Sequence, residues 1–302
     1  MTVRMIIILL SLTVLFGQKK IARVDHPPID EQSSLIKSKT YDDVYWVSND
    51  SDTKPYLFPL TLKGEIIVPD WMKRRFNDKN GKIYPGVEIL GAVLFDWESM
   101  AVLGDTLVVA DVGNNGNARR DMGIYFILEP NPYTTPQTRP YAWYPVRYED
   151  QEQYPAKDWE YDCESIFTFQ GKIYFLTKHR SDQHIMKSAP ATKLYRMETR
   201  YTDRTNVLKL VNRAENLGGW ITDADIAPDE SGMVFLAQNP LATTIWYYPA
   251  PKKGDDFLST TPKKFNLIKA DQAEGVCFKD GKTIIVSNEQ RDWFEVKLSK
   301  FK

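Results

Sequence analysis

Acidic residues return in this chain at one place in a repeated pattern. Glu98, Glu164, Asp225 and Glu274 each open an apolar run, a turn and a second apolar run that end at Asp111, Lys178, Gln238 and Asn288, at intervals of 13, 14, 13 and 14 residues. A degenerate copy ends at Asn49 in VYWVSN, with Ser34 about where the carboxylate would fall. Asp96, Asp162 and Asp223 stand two residues ahead of the first three acids, which in a strand puts both members of a pair on one side. Carboxylates that converge repel one another, and burial raises the cost unless a cation or fixed donors compensate. A hard, all-oxygen set suits Ca²⁺, with Mg²⁺ second. Its ligands would be Glu98, Glu164, Asp225 and Glu274, with Asn49, Asp50, Asn114, Asn115 and Asn288 as further oxygens. Lys178 is the one cation among the closing residues and is the alternative counter-charge. A third reading needs no ligand: acids at strand starts bind backbone N–H groups of a neighbouring unit and hold it in register.

The elements that position these residues follow from the runs between them. Two stretches rich in Val, Ile, Phe and Tyr around a turn such as Gln170-Gly171 or Asp280-Gly281 form a hairpin. Third runs follow as GIYFIL at 123, KLYRM at 193, TIWYY at 244 and WFEVKL at 293, and fourth runs as AWYPVRY at 142, NVLKLV at 206 and KFNLI at 264. Four antiparallel strands repeating every ~50–60 residues are the blades of an all-β propeller. The copies predict five blades, or six if a degenerate unit hides between 130 and 160. The last unit has three strands, and KKIARVD near the start has no hairpin partner close by, so the simplest closure pairs the two ends of the chain. A two-sheet sandwich competes, but it gives no reason for an acid to return at a fixed place. In a hairpin the start of the first strand and the end of the second share one end, and the first strand of a blade is innermost. Asp96, Glu98, Asp111, Asp162, Glu164, Lys178, Asp223, Asp225, Gln238, Glu274, Asn288 and Asn49 are therefore expected to ring one mouth of the central channel. Asp158-Trp159-Glu160 mimics Asp96-Trp97-Glu98, but the distance to the next apolar run selects Glu164 as the counterpart.

With 302 residues and 42% hydrophobic content the chain can bury a large core, and no Ser/Gly/Pro-rich linker divides it. The 39 basic and 40 acidic residues nearly cancel, without a long run of one sign, which disfavours nucleic acid and anionic lipid as partners. Arg4, the apolar stretch from Met5 to Phe16 and Gly17 read as a secretory signal peptide over 1–18, leaving one domain over 19–302 outside the cytoplasm. That apolar stretch is too short to span a ~30 Å hydrocarbon core comfortably, so no membrane span is expected in the mature chain. Cys163 and Cys277 fall in first strands of non-neighbouring blades, which predicts two buried thiols rather than a disulfide.

Several motifs carry a family likeness: WVSNDS at 46, DWESMA at 96, DVGNN at 111 with Arg119 or Arg120 and the EP at 129 downstream, YDCESI at 161, TDADIAPD at 222 and AEGVCF at 273. In this order, over nearly the whole mature chain, they resemble a group of secreted bacterial β-propellers related in pattern to the phytase-like esterase and SdiA-regulated propellers. The resemblance implies a propeller of the envelope or the exterior; the group is mostly without an assigned reaction. Asn114 stands where an acid is common in the glycine-rich loop, and the first repeat lacks a clear Ser-Gly start. Both departures weigh against moving a metal or catalytic role onto those blades.

Two functions remain. A hydrolase of phosphoesters or lactones would place a divalent cation on Glu98, Glu164 or Glu274, use one of them as base, and hold an anionic substrate with Lys178. Among His26, His179 and His184 only His179 could reach the mouth, where a solvated loop histidine is the simpler expectation; neither a His-Glu-x-x-His helix nor a Gly-x-Ser-x-Gly elbow occurs. A binding module asks less, since a propeller presents a rigid disc with loops on both faces. The excursions at 69–89 and 130–158 offer Trp71, Tyr84, Tyr133 and Tyr141 as partner-contact residues. The preferred reading is a monomeric, extracytoplasmic binding or assembly component of the bacterial envelope, with an envelope protein as partner, no organic cofactor, and Ca²⁺ as the one cofactor candidate.

Overall fold

The β-branched and aromatic runs all become strands in the computed structural model, which describes residues 17–51, 54–76 and 81–302. Blade 1 comprises Gln32–Lys37, Tyr45–Asn49, Tyr56–Leu60 and Val87–Ile89, and blade 2 Trp97–Leu103, Thr106–Asp111, Gly123–Leu128 and Ala142–Tyr148. Blade 3 comprises Trp159–Phe169, Lys172–Arg180, Thr192–Met197 and Asn206–Ala214, and blade 4 Trp220–Ile226, Gly232–Asn239, Ala242–Pro249 and Lys263–Leu267. Blade 5 takes Ala273–Asp280, Thr283–Asn288 and Asp292–Lys297 from the end of the chain and Gln18–Arg23 from its start, with Gln18 opposite Val296 and Arg23 opposite Asp292. The expected pairing of the two termini thus closes the molecule. Of the expected leader, only Gly17 and Gln18 fall among the described residues; Gln18 already opens the closing strand, its amide bonded to both Ile268 N and Ile268 O at 2.9 Å.

The first strand of each blade contacts the first strand of the next around a complete circuit, 1 to 5 and back to 1. A blade is covered by a neighbour on both faces, so its middle strands read as continuous apolar runs: Thr106–Asp111 is buried at every residue. One hydrophobic layer fills each interface. Ile36, Trp46 and Trp97 lie between blades 1 and 2; Val108, Phe126 and Phe175 between 2 and 3; Phe167, Phe235 and Phe257 between 3 and 4; Leu236, Val276 and Val286 between 4 and 5. Tyr45 and Trp293 join 5 to 1, ring centroids 5.5 Å apart. Each large side chain so buried stabilises the fold by about 1.5–3 kcal/mol. The turn at Gln170-Gly171 takes positive φ at both residues, 49° and 74°, as a tight hairpin of the right twist requires.

Two features depart from a plain propeller. Outer strands of blades 2 and 3 pair in parallel, Val146–Tyr148 against Asn206–Leu208, fusing the two sheets at their rims. Gln137–Thr138, in the excursion after blade 2's third strand, pairs in parallel with blade 1's Glu88 and Ile89. Cys163 and Cys277 are free, buried thiols. Among the described residues no helix is long and apolar enough to cross a membrane.

Candidate functional site at the channel mouth

The repeat acids sit on β-bulges. In blade 2 the register slips between Trp97/Asp111 and Ser99/Ala110, in blade 3 between Cys163/Thr177 and Ser165/Leu176, and in blade 5 between Ala273/Asn288 and Gly275/Ser287. Glu98, Glu164 and Glu274 are therefore the extra residues of equivalent bulges, re-aimed out of the pleat toward the channel. The same slip in blade 1 falls at Ser33, and in blade 4 at Thr222 and Asp223. This corrects two expected equivalences: Ser33 rather than Ser34 occupies the repeat position in blade 1, and the pair Thr222 and Asp223 rather than Asp225 occupies it in blade 4, where Thr222 Oγ1 bonds Ala273 O as Ser33 Oγ bonds Trp97 O. The spacing in sequence misleads because two residues, Thr222 and Asp223, stand opposite the single Leu236 in blade 4.

Glu98, Glu164 and Glu274 converge on Lys178. The Lys178 ammonium lies 2.8 Å from Glu164 Oε1, and the Gln238 amide donates to Glu274 Oε1 at 2.7 Å while accepting Ala273 N at 2.9 Å. Burial works against the charge on Lys178, but Glu164, Asp162, Glu274 and Glu98 outweigh it and hold the ammonium above its ordinary value. Burial, reinforced by Glu164 and Asp96, pushes the Glu98 carboxyl well above the usual range. Glu274 is pushed up to about 7, again by burial, with Lys178 opposing. Asp162 goes the other way: burial is outweighed by Arg180, Lys178 and the Asn114 N–H, and its pKa falls. Arg180 forms an ion pair with Asp162 and bonds Asn115 Oδ1. It is two residues beyond Lys178 and so on the same side of the strand, an alternation that could have singled it out in the sequence. Trp220, also missed, packs beneath both cations, its centroid 5.6 Å from Lys178 Nζ and 5.9 Å from the Arg180 guanidinium.

A deeper layer binds blade to blade. Asp223 accepts Ser99 Oγ from across the channel and Val276 N from the next blade, both at 2.8 Å, and Asp225 accepts Phe278 N at 2.8 Å. Ser99 Oγ also accepts Ile166 N at 3.1 Å. Burial raises Asp223 well above and Asp225 to about 7. Blade 2 and blade 4 meeting through Ser99 and Asp223 means that side chains fill the channel at this level.

Of the closing residues, Lys178 and Gln238 join the central cluster, and Asn49, Asp111 and Asn288 do not. Asn49 Nδ2 donates to Pro28 O at 2.9 Å, Asn288 Nδ2 to Ala270 O at 2.9 Å, and Asp111 Oδ1 accepts Asp96 N at 3.2 Å, so each secures the segment entering its own blade. Asp111 is also paired with Arg119 at 2.9 Å. The DVGNN loop links blades 2 and 3: Asn114 N donates to Asp162 and Asn114 Nδ2 to Tyr161 O. A Cβ on Gly113 would collide with the Asp96 carboxylate and Glu98 Oε1, which explains the glycine there. His179 is no solvated loop residue; it lies in a blade 3 strand, buried, with Nε2 2.9 Å from Thr177 Oγ1 and burial lowering its pKa to about 3. Of the aromatic candidates, Trp71, Tyr133 and Tyr141 are exposed, whereas Tyr84 is 2% exposed against Phe76 and has no surface to offer a partner.

Among the described residues, no group of three or more His, Cys, Asp or Glu is disposed to hold a metal ion. The donor set gives the reason: Glu164 faces Lys178, Asp162 faces Arg180, Glu274 faces Gln238, and Asp225 caps backbone N–H groups.

No family model and no curated protein matches the sequence. Among solved structures, the chain is similar to a chain of the mitotic checkpoint complex (9% identity, TM-score 0.39, covering 87% of this chain and 60% of that one). It is similar to the hydrazine synthase of Kuenenia stuttgartiensis (13%, 0.42, 87% and 56%) and to a Bacteroides uniformis protein provisionally described as a 6-phosphogluconolactonase (10%, 0.40, 84% and 76%). The chain thus spans less than two thirds of the first and second of these, and the β-propeller fold rests on its own strand pairing.

Proposed function

We propose that the protein is an extracytoplasmic binding propeller that docks an envelope protein on its mouth face, with the acidic cluster serving the rigidity of the disc. One observation carries the reading: the acids that could do chemistry are spent on internal partners. Lys178 answers Glu164 at 2.8 Å, Asp223 is held by Ser99 and Val276 at 2.8 Å, and Glu98 is almost wholly buried beside them. A base must reach the proton it abstracts, and a Lewis acid needs an open position; neither is offered here. In this reading Lys178 takes the place of a cation, and the basic, then apolar, character of residues 1–18 supports export.

The test is purification of the tagged mature protein from its native envelope in mild detergent, with mass spectrometry of what elutes in stoichiometric amount. A reproducible envelope protein is the expected result, retained when Glu98, Glu164 and Glu274 are each replaced by Gln. Recovery of the chain alone, together with Ca²⁺-dependent turnover of a phosphoester or lactone that those Gln variants lose, would establish the hydrolase instead.

A further inference from the structure

Beside the channel mouth, loops of blades 3, 4 and 5 line a cleft of about 750 Å³ that shares only Gln238 with the acidic cluster. Its floor includes Trp220, whose indole N–H is fixed to His179 O at 3.0 Å and whose ring also packs against Lys178 and Arg180. Its lip is apolar and unpartnered: Leu241 is 96% exposed and Met186 73%. Leu241 is held out rather than loosely placed. Asn239 Oδ1 accepts Leu241 N at 2.8 Å and Ala242 N at 3.0 Å, and Asn239 Nδ2 donates to Gly218 O, so the turn is locked with the leucine projecting. A Leu kept in water by a built turn gains apolar burial only when something covers it.

The rest of the lining carries negative charge and lone pairs. Asp271 lines the cleft, and Gln272, also in the wall, donates to Glu289 Oε1 at 3.0 Å. Glu289 is repelled by Glu31, and burial and that repulsion raise its pKa. Gln290 contributes a buried carbonyl oxygen with no hydrogen-bond donor. Lysine and arginine are absent from the lining, and the two cations behind Trp220 are committed to Glu164 and Asp162. Such a wall repels an anionic bilayer or nucleic acid and accepts N–H donors that carry positive charge.

We infer that this cleft docks an extended peptide segment of a partner protein in which basic residues alternate with aliphatic ones, the aliphatic side chains covered by Trp220, Met186 and Leu241 and the basic ones facing Asp271 and the Gln290 carbonyl, with the charge of Glu289 behind Gln272. The inference rests on the binding reading above and names the face and the chemistry of the partner. An alternating segment presents its two kinds of side chain to opposite sides, which suits a cleft whose lining combines the apolar Trp220, Met186 and Leu241 with Asp271 and the unpaired Gln290 oxygen.

The test uses the full mature protein and three fluorescein-labelled hexapeptides, Lys-Leu, Glu-Leu and Lys-Ser repeats, read by fluorescence anisotropy. The Lys-Leu peptide binds saturably and the other two do not. Leu241→Asp weakens it about tenfold or more. The double variant Asp271→Asn/Glu289→Gln weakens it and flattens its salt dependence. Leu128→Asp, on an exposed residue at the far end of a blade 2 strand, leaves it unchanged. Absence of saturable binding, equal binding of the Glu-Leu or Lys-Ser peptide, or binding indifferent to Leu241→Asp overturns the inference. If the envelope partner is still recovered in stoichiometric amount with Leu241→Asp, the cleft assignment fails and the binding reading stands; if the wild type recovers none, it is the binding reading that fails.

Discussion

Replacing Lys178 by Met would leave Glu164 buried against Glu98 with no counter-charge. Removing one partner of a buried pair costs about 3–5 kcal/mol, whereas removing both is far milder. Lys178→Met is expected to lower the unfolding free energy, measured by urea denaturation, by that amount, and adding Glu164→Gln to restore most of it; a loss below about 1 kcal/mol in the single variant would contradict the pairing. Glu274 gives a second test at this scale. Its carboxyl is raised from 4.5 to about 7 in the folded protein, so the folded state binds more protons between those values and stability falls as pH rises through that window. Asp162, lowered below 3.8, acts with the opposite sign: its contribution is present above that value and is lost as pH falls. Glu274→Gln should therefore reduce the loss of stability between pH 4.5 and about 7, and leave the acid limb, below Asp162's ordinary 3.8, as it was. Urea midpoints measured across both windows separate the two groups. At the residue scale the types and the mouth location of Glu98, Glu164 and Glu274 were legible in the sequence. The shift of the blade 4 bulge from Asp225 to Thr222 and Asp223 was not, because a bulge adds residues on one strand without any mark in composition.

The closing strand, Gln18–Arg23, is the element on which circular closure depends. Without it, Asp292–Lys297 becomes an open edge flanked by buried Trp293, Phe294 and Val296, and the bonds from Gln18 to Ile268 disappear. An uncovered apolar edge recruits another chain. A chain beginning at Val24 is expected to self-associate in a concentration-dependent manner on size exclusion and to melt at lower temperature; a monomeric elution with unchanged melting would show that the strand is dispensable. Closure was readable in the sequence because KKIARVD had no local partner and the last unit lacked a strand. The parallel seam between Val146–Tyr148 and Asn206–Leu208 was not, since nothing in either run distinguishes an outer strand that meets water from one that meets the next blade.

At the scale of the whole molecule, five apolar layers and a ring of inner strands couple every blade to two others. Cys163 in blade 3 and Cys277 in blade 5 report on that coupling from separate places, both fully buried, and burial pushes both thiols up. Neither should react with a thiol reagent in the native protein, and both should become reactive together, at the urea midpoint seen by tryptophan fluorescence, as a single cooperative transition requires. Two separated midpoints would mean that blades unfold independently. The amino-acid pattern by itself determined the strands, their grouping in fours, the mouth that the acids share and the burial of the two cysteines, because these follow from local periodicity and repetition. Only the tertiary structure decided what the acids do. Whether Glu164 meets a metal, a substrate or Lys178, whether Asp223 bonds Ser99 across the channel, and whether Tyr84 faces a partner or Phe76 depend on which blades are brought opposite one another, a distance in space that separation along the chain does not encode.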